Sequence, residues 1–260
     1  MYRDDVFDPA LIEGRLAEFS GQIERRLAGE LTEVEFEPLR LRNGVHLQPH
    51  SYMLRVAIAR GTLDVRQLRK LAHVARTYDR GFGHFTASGD IQFQWPSLSD
   101  MPAILADLAT VGLYARDIDE TRAHGVAGGN AAVWRHPDHA SVTIALKNVG
   151  GTSGDISDGQ MEAVAELAGR YGSGEVGVTG EQALVLPHVA YADLNAVHDG
   201  LAESGLAAVV DPEQMVAVET VIETNLSIRN DHSERFLDVY RRVGPAPFKE
   251  ALHGTETRVA

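Results

Sequence analysis

The sequence predicts an α+β protein built from two copies of one βαββα unit, with helices before the first copy and after the second. Three observations carry this prediction. Short β-branched runs alternate with stretches of helical apolar spacing, the pattern returns once along the chain, and 44% of the 260 residues are hydrophobic, which is enough for a packed core.

Helices are predicted before the first repeat. Asp8-Pro9 has the form of an N-cap followed by a first-turn proline, and apolar residues at helical spacing continue to a stop at Gly29. Thr32 and Glu35 form a capping-box pattern that begins a second, short helix. The segment from Pro38 to Gln48, with an Asn-Gly turn, is predicted to be an extended arm.

The first repeat is predicted to run strand, helix, hairpin, helix. Its first strand covers Tyr52 to Ala59 and its first helix Val65 to Tyr78. Two short strands, His84 to Thr86 and Ile91 to Trp95, flank a tight Ser-Gly-Asp connection. A second helix covers Met101 to Thr110.

The second repeat follows the same order. A glycine-rich turn from Gly150 to Gly154 separates its first strand from its first helix, and lacks the spacing of a phosphate-binding loop. The predicted strands are Ser141 to Lys147, Glu175 to Thr179 and Ala183 to Leu186, and the predicted helices are Ser157 to Tyr171 and Asp193 to Ser204.

The two repeats align directly. Ala72 matches Ala165, and Tyr78 matches Tyr171, both 93 residues later. About a quarter of the positions from Leu68 to Ala115 are identical at this offset, which indicates a true internal repeat.

These patterns divide the chain into five segments. They are an N-terminal helix and extended arm (1–50), a first half-domain (51–115), a linker (116–138), a second half-domain (139–210) and C-terminal helices (211–260).

Composition excludes several classes of function. The formal net charge of -13 argues against general binding of nucleic acid or anionic membranes, since both need a basic surface. The chain has no cysteine, so it can supply neither disulfides nor the thiolates that hold an iron–sulfur cluster. No signal peptide or membrane-spanning run is recognisable, which predicts a cytoplasmic protein.

Two stretches carry a resemblance to a known family. The first stretch, Glu35 to Pro96, resembles the first ferredoxin-like half-domain of sulfite/nitrite reductase hemoproteins; it begins EFEPLRLRNGVHLQPHSYMLRVAIARG and ends GFGHFTASGDIQFQWP. The second stretch, Ala140 to Val189, resembles the second half-domain of the same proteins. The C-terminal run FLDVYRRVGPAPFKEAL is similar to the C-terminus of the same proteins. The resemblance implies two ferredoxin-like halves related by a pseudo-twofold axis, with N- and C-terminal helices packed around them.

The resemblance also implies a cofactor site that this chain lacks. Family members carry siroheme and a 4Fe-4S cluster on two modules, which hold four cysteines. Arg116 to Asp138 stands where the first module would be, and Ala208 to Pro212 where the second would be. We therefore predict that the chain binds neither cofactor.

The hairpins that face siroheme in the family are altered. The first usually reads T-T-R-Q-N, whereas here Thr86 to Asp90 reads TASGD. The second usually reads T-H-E-Q-N, and Glu181 and Gln182 keep its Glu and Gln. Arg55 matches a family position that faces the substrate anion. Arg55, Glu181 and Gln182 are therefore the candidate anion- or siroheme-side residues, and the catalytic residues remain unassigned.

Each candidate also has a plain structural interpretation. A single arginine such as Arg55 makes a weak anion site, and a charged residue on the solvent-exposed face of a sheet explains it equally well. Arg40 and Arg42 either extend that site or pair with surface carboxylates. The eleven histidines are scattered, and the closest pair, in His136-Pro137-Asp138-His139, has no recognised ligand spacing, so no metal site is predicted.

Three functions follow as hypotheses. The first is a sulfite/nitrite reductase-like scaffold without siroheme or 4Fe-4S cluster, catalytically inactive toward sulfite. The second is an interaction module whose vacated sheet face binds a protein partner or a second copy of the chain. The third is residual binding of a tetrapyrrole or small anion between the halves, with Arg55 as anchor.

Overall fold

The computed structural model describes residues 9–115, 138–147, 152–207, 220–221, 223–230, 234 and 236–256. The chain divides into two compact units, Met1–Ala207 and Ala208–Ala260. Residues 116–137 of the predicted linker and 148–151, which include the start of the predicted glycine turn, lie outside the described residues.

Two helices precede the first sheet. Helix α1 spans Pro9–Leu27 and α2 spans Glu33–Arg42, with the predicted capping box at Thr32 and Glu35. The prediction of an extended arm from Pro38 is wrong, because α2 continues through Pro38 and strand β1 (Val45–Leu47) follows it. The capping box and the burial of Phe36, whose ring stacks on Phe19 at 6.2 Å, offset the hydrogen bond that Pro38 cannot make.

The strands form two antiparallel sheets. The first sheet has the order β1-β2-β5-β4-β8, with β6 also paired to β2, and the second has the order β3-β9-β10-β7. The remaining strands are β2 (Tyr52–Ala57), β3 (Thr62–Asp64), β4 (Phe82–Phe85), β5 (Asp90–Phe93), β6 (Tyr114–Ala115), β7 (His139–Ala145), β8 (Asp155–Ser157), β9 (Glu175–Val178) and β10 (Ala183–Ala190).

The two halves exchange one short strand each. Strand β3 of the first half pairs with β9 of the second, and β8 of the second half pairs with β4 of the first. The exchanged strands start at Thr62 and Asp155, 93 residues apart, so the exchange follows the internal repeat. The predicted βαββα unit missed both strands, because three residues carry no readable periodicity. The two halves therefore fold as one unit.

Two equivalent helices pack against each other at the centre of this unit. Helices α3 (Val65–Tyr78) and α5 (Asp158–Tyr171) have the predicted bounds, and each begins with a capping box. The Val65 amide donates to the Gly174 carbonyl at 3.3 Å, and the Asp158 amide donates to the Gly81 carbonyl at 2.9 Å. These two bonds are equivalent under the repeat, which confirms the pseudo-twofold relation.

The outer helices of the two halves are α4 (Met101–Ala109) and α6 (Leu194–Glu203). The sheets, helices and N-terminal segment share one core, whose largest fully buried side chains include Phe36, Phe85, Phe93 and Met101. Among the described residues, no helix combines the length and apolar character needed to span a bilayer.

The second unit contains helix α7 (Phe236–Val243) and helix α8 (Ala246–Glu256). Its centre is an aromatic cluster in which the rings of Phe236 and Tyr240 lie 5.4 Å and 5.9 Å from the ring of Phe248. Within the segment predicted to hold C-terminal helices, residues 220–221 and 223–228 are also helical, and residues 208–219 and 222 lie outside the described residues.

Candidate functional site

One face of the first sheet carries a row of polar side chains. The opposite face is apolar, because alternate residues such as Leu54, Ile91 and Phe85 are fully buried in the core. The strand registers place Arg55 opposite Gln92, Gln92 opposite His84, and His84 opposite Asp155. We call these four residues the polar row and the side of the sheet that carries them the open face.

The second sheet has no such row. The equivalent register joins Thr143, Val185, Gly177 and Thr62, none of which is charged. The pseudo-twofold repeat therefore carries the polar row on one sheet and small, uncharged residues at the equivalent positions of the other.

The guanidinium group of Arg55 is already bound within the protein. Its Nε lies 2.8 Å from Asp90 Oδ2, and an Nη donates to Ser88 Oγ at 2.7 Å. Asp90 is only 2% exposed, and Ser88 Oγ donates to the same carboxylate oxygen at 3.2 Å. Because a buried carboxylate neutralises the guanidinium, Arg55 offers little attraction to an external anion.

The altered hairpin supplies both partners of Arg55. Ser88 stands where the family pattern has Arg, and Asp90 where it has Asn. Sequence reasoning noted the altered hairpin but missed the ion pair, although the two-residue alternation of β2 and β5 could have placed Arg55 and Asp90 on one face.

A glutamine chain continues the open face toward β1. Gln48 Nε2 donates to Gln94 Oε1 at 2.9 Å, and Gln94 Nε2 donates to Gln92 Oε1 at 3.2 Å. His46, on β1, has a buried Nε2 with no hydrogen-bond partner among the described residues. Burial, and then the nearby positive charges of Arg55 and Arg40, lower the pKa of His46 below its ordinary 6.5, so it is neutral at pH 7.

His84 and Gln182 connect the two halves at the other end of the row. His84 Nδ1 lies 2.7 Å from Asp155 Oδ1. The Gln182 side chain, from the second hairpin, donates to the Phe85 carbonyl at 2.9 Å and the Ser153 carbonyl at 3.1 Å. Gln182 therefore acts as a structural bridge between the halves.

The remaining candidates lie apart from the row. Glu181 is exposed and, in the part of the chain that the structure describes, forms no ion pair. Arg40 is 5% exposed and pairs with Glu33 at 2.8 Å, while Arg42 is exposed beside a cavity between α1 and α2. Arg55 thus lies in the first sheet, and the Gln182 side chain reaches β4 of that sheet from the turn between β9 and β10, while Arg40 and Arg42 belong to α2 and Glu181 is exposed in the same turn as Gln182.

Within the described ranges, no group of three or more His, Asp or Glu side chains is arranged to hold a metal ion. His136 lies outside those ranges, and His139 belongs to β7. Among the described residues, the four members of the polar row are thus hydrogen-bonded within the protein, whereas the buried Nε2 of His46 beside the row has no partner.

Comparison with known proteins identifies the relatives of this fold. The sequence profile of the nitrite/sulfite reductase ferredoxin-like half domain matches residues 45–111 and again residues 135–204, which together make up more than half of the chain. The two matches correspond to the two repeats.

One curated relative and one solved structure are similar. The assimilatory ferredoxin-dependent nitrite reductase of Haloferax mediterranei is 33% identical over 91 residues, which are 31% of this chain and 16% of that protein. The structure of the Mycobacterium tuberculosis NirA protein matches with a TM-score of 0.52 at 13% identity, over 74% of this chain and 70% of that one. The second match supports the fold, and the first spans only a small part of its relative.

Proposed function

Because the chain belongs to the nitrite/sulfite reductase ferredoxin-like half-domain family, we propose that it is a scaffold of that family that has lost the siroheme and 4Fe-4S site and does not itself reduce sulfite. The proposal rests on the ion pair between Arg55 and the buried Asp90. This pair engages the guanidinium group that, by resemblance to the family, would face the substrate anion. The cytoplasmic location predicted from the sequence is part of the same proposal.

The residues of this chain do not fit the family's cofactors. An iron–sulfur cluster needs thiolate ligands, and the chain contains no cysteine. A siroheme with carboxylate side chains needs free cationic groups, whereas Arg55 is bound by Asp90 and Ser88. A buried carboxylate beside that position would repel an anionic ligand.

The test is a visible spectrum of the purified protein before and after it is supplied with siroheme, iron and sulfide, followed by a sulfite-reduction assay with a reduced dye. We expect no saturable Soret band and no turnover. A Soret band that saturates at one equivalent, together with sulfite reduction, would contradict the proposal. A saturable band without turnover would instead support the third hypothesis, residual tetrapyrrole binding.

A second candidate, an interaction module, is favoured by two exposed aromatic side chains, one at the start of β4 and one shortly after β5. Phe82, on the same face of β4 as His84, is 55% exposed, and Trp95 is 42% exposed with the Arg80 guanidinium 3.5 Å from its ring centroid. Exposed aromatic and arginine side chains are enriched at protein interfaces. This candidate predicts self-association or capture of a protein partner through the vacated sheet face.

Light scattering across a concentration series separates the two candidates for self-association. A dimer that Phe82→Ser converts to monomer would support the interaction module, with the exposed Val34→Ser on α2 as the matched control. A monomer at every concentration would remove the second copy as partner.

A further inference from the structure

A small polar cavity lies between α1 and α2, away from the polar row. Its volume is about 120 Å³, and its polar lining consists of Arg15, Glu18, Gln22, Arg42 and Asn43. A cavity of this size holds several water molecules or one tetrahedral oxyanion. Nothing in the proposed scaffold role uses it.

The two arginines of this cavity are unpaired. Across the described ranges, neither Arg15 nor Arg42 forms an ion pair or a side-chain hydrogen bond, whereas other arginines do. Arg40, two positions before Arg42, pairs with Glu33 and Glu37. In a chain with a formal net charge of -13, two unpaired guanidinium groups at one cavity are a local concentration of positive charge.

We propose that this cavity binds phosphate, either as the free ion or as the terminal phosphoryl group of a small molecule. Guanidinium groups match phosphate oxygens in a fork geometry and carry charge at all physiological pH values. The side-chain amides supply further donors, because Gln22 uses one N–H toward Glu18 at 3.1 Å and Asn43 uses one toward the Leu39 carbonyl at 3.0 Å. Each amide nitrogen carries a second N–H.

Glu18 distinguishes phosphate from sulfate. A carboxylate beside two arginines weakens the binding of any anion, but it also accepts a hydrogen bond. Near neutral pH phosphate keeps a hydroxyl that can donate to Glu18, whereas sulfate has no proton to donate. The cavity is therefore built to prefer phosphate over sulfate, although both ions have the same shape.

The experiment is calorimetric titration of the full chain with inorganic phosphate, sulfate and methyl phosphate at low ionic strength. We expect phosphate to bind, sulfate to bind more weakly, and Arg15→Ala and Arg42→Ala each to weaken phosphate binding about tenfold. Arg66→Ala is the matched control, since Arg66 is exposed and lies on α3. Circular dichroism checks that each variant is folded.

Glu18→Gln provides the sharper test. It removes the opposing charge and replaces one carboxylate oxygen by an N–H donor that sulfate can accept from, while a neutral carbonyl acceptor remains, so sulfate should bind more tightly and the preference for phosphate should fall. Methyl phosphate binding as tightly as phosphate would identify a terminal phosphoryl group as the ligand, whereas its exclusion would identify the free ion. The proposal is overturned if phosphate gives no saturable heat, or if binding is unchanged in both arginine variants.

Discussion

Replacing Arg55 with methionine tests the ion pair on which the proposed function depends. The variant keeps the aliphatic part of the side chain but leaves the carboxylate of Asp90, which is 2% exposed, without its guanidinium partner. Breaking a buried pair from one side costs about 3–5 kcal/mol. Because the Arg55 side chain is 26% exposed, water screens the pair and we expect a loss of about 2–3 kcal/mol.

The assay is urea unfolding at pH 7, followed by circular dichroism, within a double-mutant cycle. Asp90→Asn should lower the free energy of unfolding by about 1–2 kcal/mol. The double variant should be no less stable than Arg55→Met alone, so the coupling energy between the two residues should be at least about 1 kcal/mol. Arg66→Met is the control, because its pair with Asp64 at 3.2 Å is exposed and should contribute less than about 0.5 kcal/mol.

An Arg55→Met variant within about 0.5 kcal/mol of the wild type would refute the reasoning. It would mean that the guanidinium is not held by Asp90 in solution and is free to meet an external anion. Asp90→Asn should, for the same reason, create an anion affinity that the wild type lacks, measured by titration with sulfite. If the wild type and Asp90→Asn bind sulfite equally, the ion pair does not block the position.

Three further variants probe the bridge between the halves and the acid stability of the first half. Gln182→Ala keeps the backbone strain of φ 58° but loses the hydrogen bond across the halves to the Phe85 carbonyl and the bond within the second half to the Ser153 carbonyl, so urea unfolding should show a loss of about 1–2 kcal/mol. Gly154→Ala should lower the free energy of unfolding by more, at least about 3 kcal/mol, because Gly154 has a φ of +95° and the added Cβ would lie 2.6 Å from the Gln182 side-chain amide nitrogen. Gly159→Ala is the control: its Cβ would meet open space, so the change should be neutral or stabilising. The hydrogen bond from Lys70 lowers the pKa of Asp107 below 3.8, so its stabilisation is complete above that value and is lost as the pH falls through the lowered pKa. Without the Lys70 hydrogen bond, the pKa of Asp107 should be lowered less, so the free energy of unfolding of Lys70→Met should fall less than that of the wild type as the pH drops below about 4. An acid-unfolding curve identical to that of the wild type would contradict this.

The positions of the helices and of the internal repeat could be predicted from the sequence because both depend on local signals. The bounds of α3 and α5 follow from capping residues and apolar spacing that neighbouring residues set. The strand exchange of β3 and β8 could not be read in the same way, since each strand is three residues long and its partner lies in the other repeat. Pro38 misled the N-terminal prediction because tertiary burial of Phe36 outweighs the local cost of proline.

The candidate site was predictable only as a set of positions. The resemblance named Arg55 and Gln182 as candidates, but their hydrogen-bond partners are decided by the geometry of the fold. The sequence shows Asp90 only as the acidic end of an altered hairpin, and the register of β2 with β5 is what makes it the buried counter-charge of Arg55. His84 and Asp155 were not paired at all by sequence reasoning, because they belong to different repeats and meet only through the exchanged strand.

The two hairpins explain how a symmetric framework came to have a single polar face. Gly89 and Gln182 occupy equivalent positions and both have positive φ, at +77° and +58°. Glycine adopts this conformation without strain, whereas Gln182 adopts it at a cost that its hydrogen bonds to the Phe85 and Ser153 carbonyls offset. The first hairpin, free of a side chain at that point, leaves Ser88 and Asp90 to bind Arg55. The backbone of the repeat has thus been kept in both copies, while one copy uses its hairpin side chains to join the halves and the other uses them to neutralise the open face.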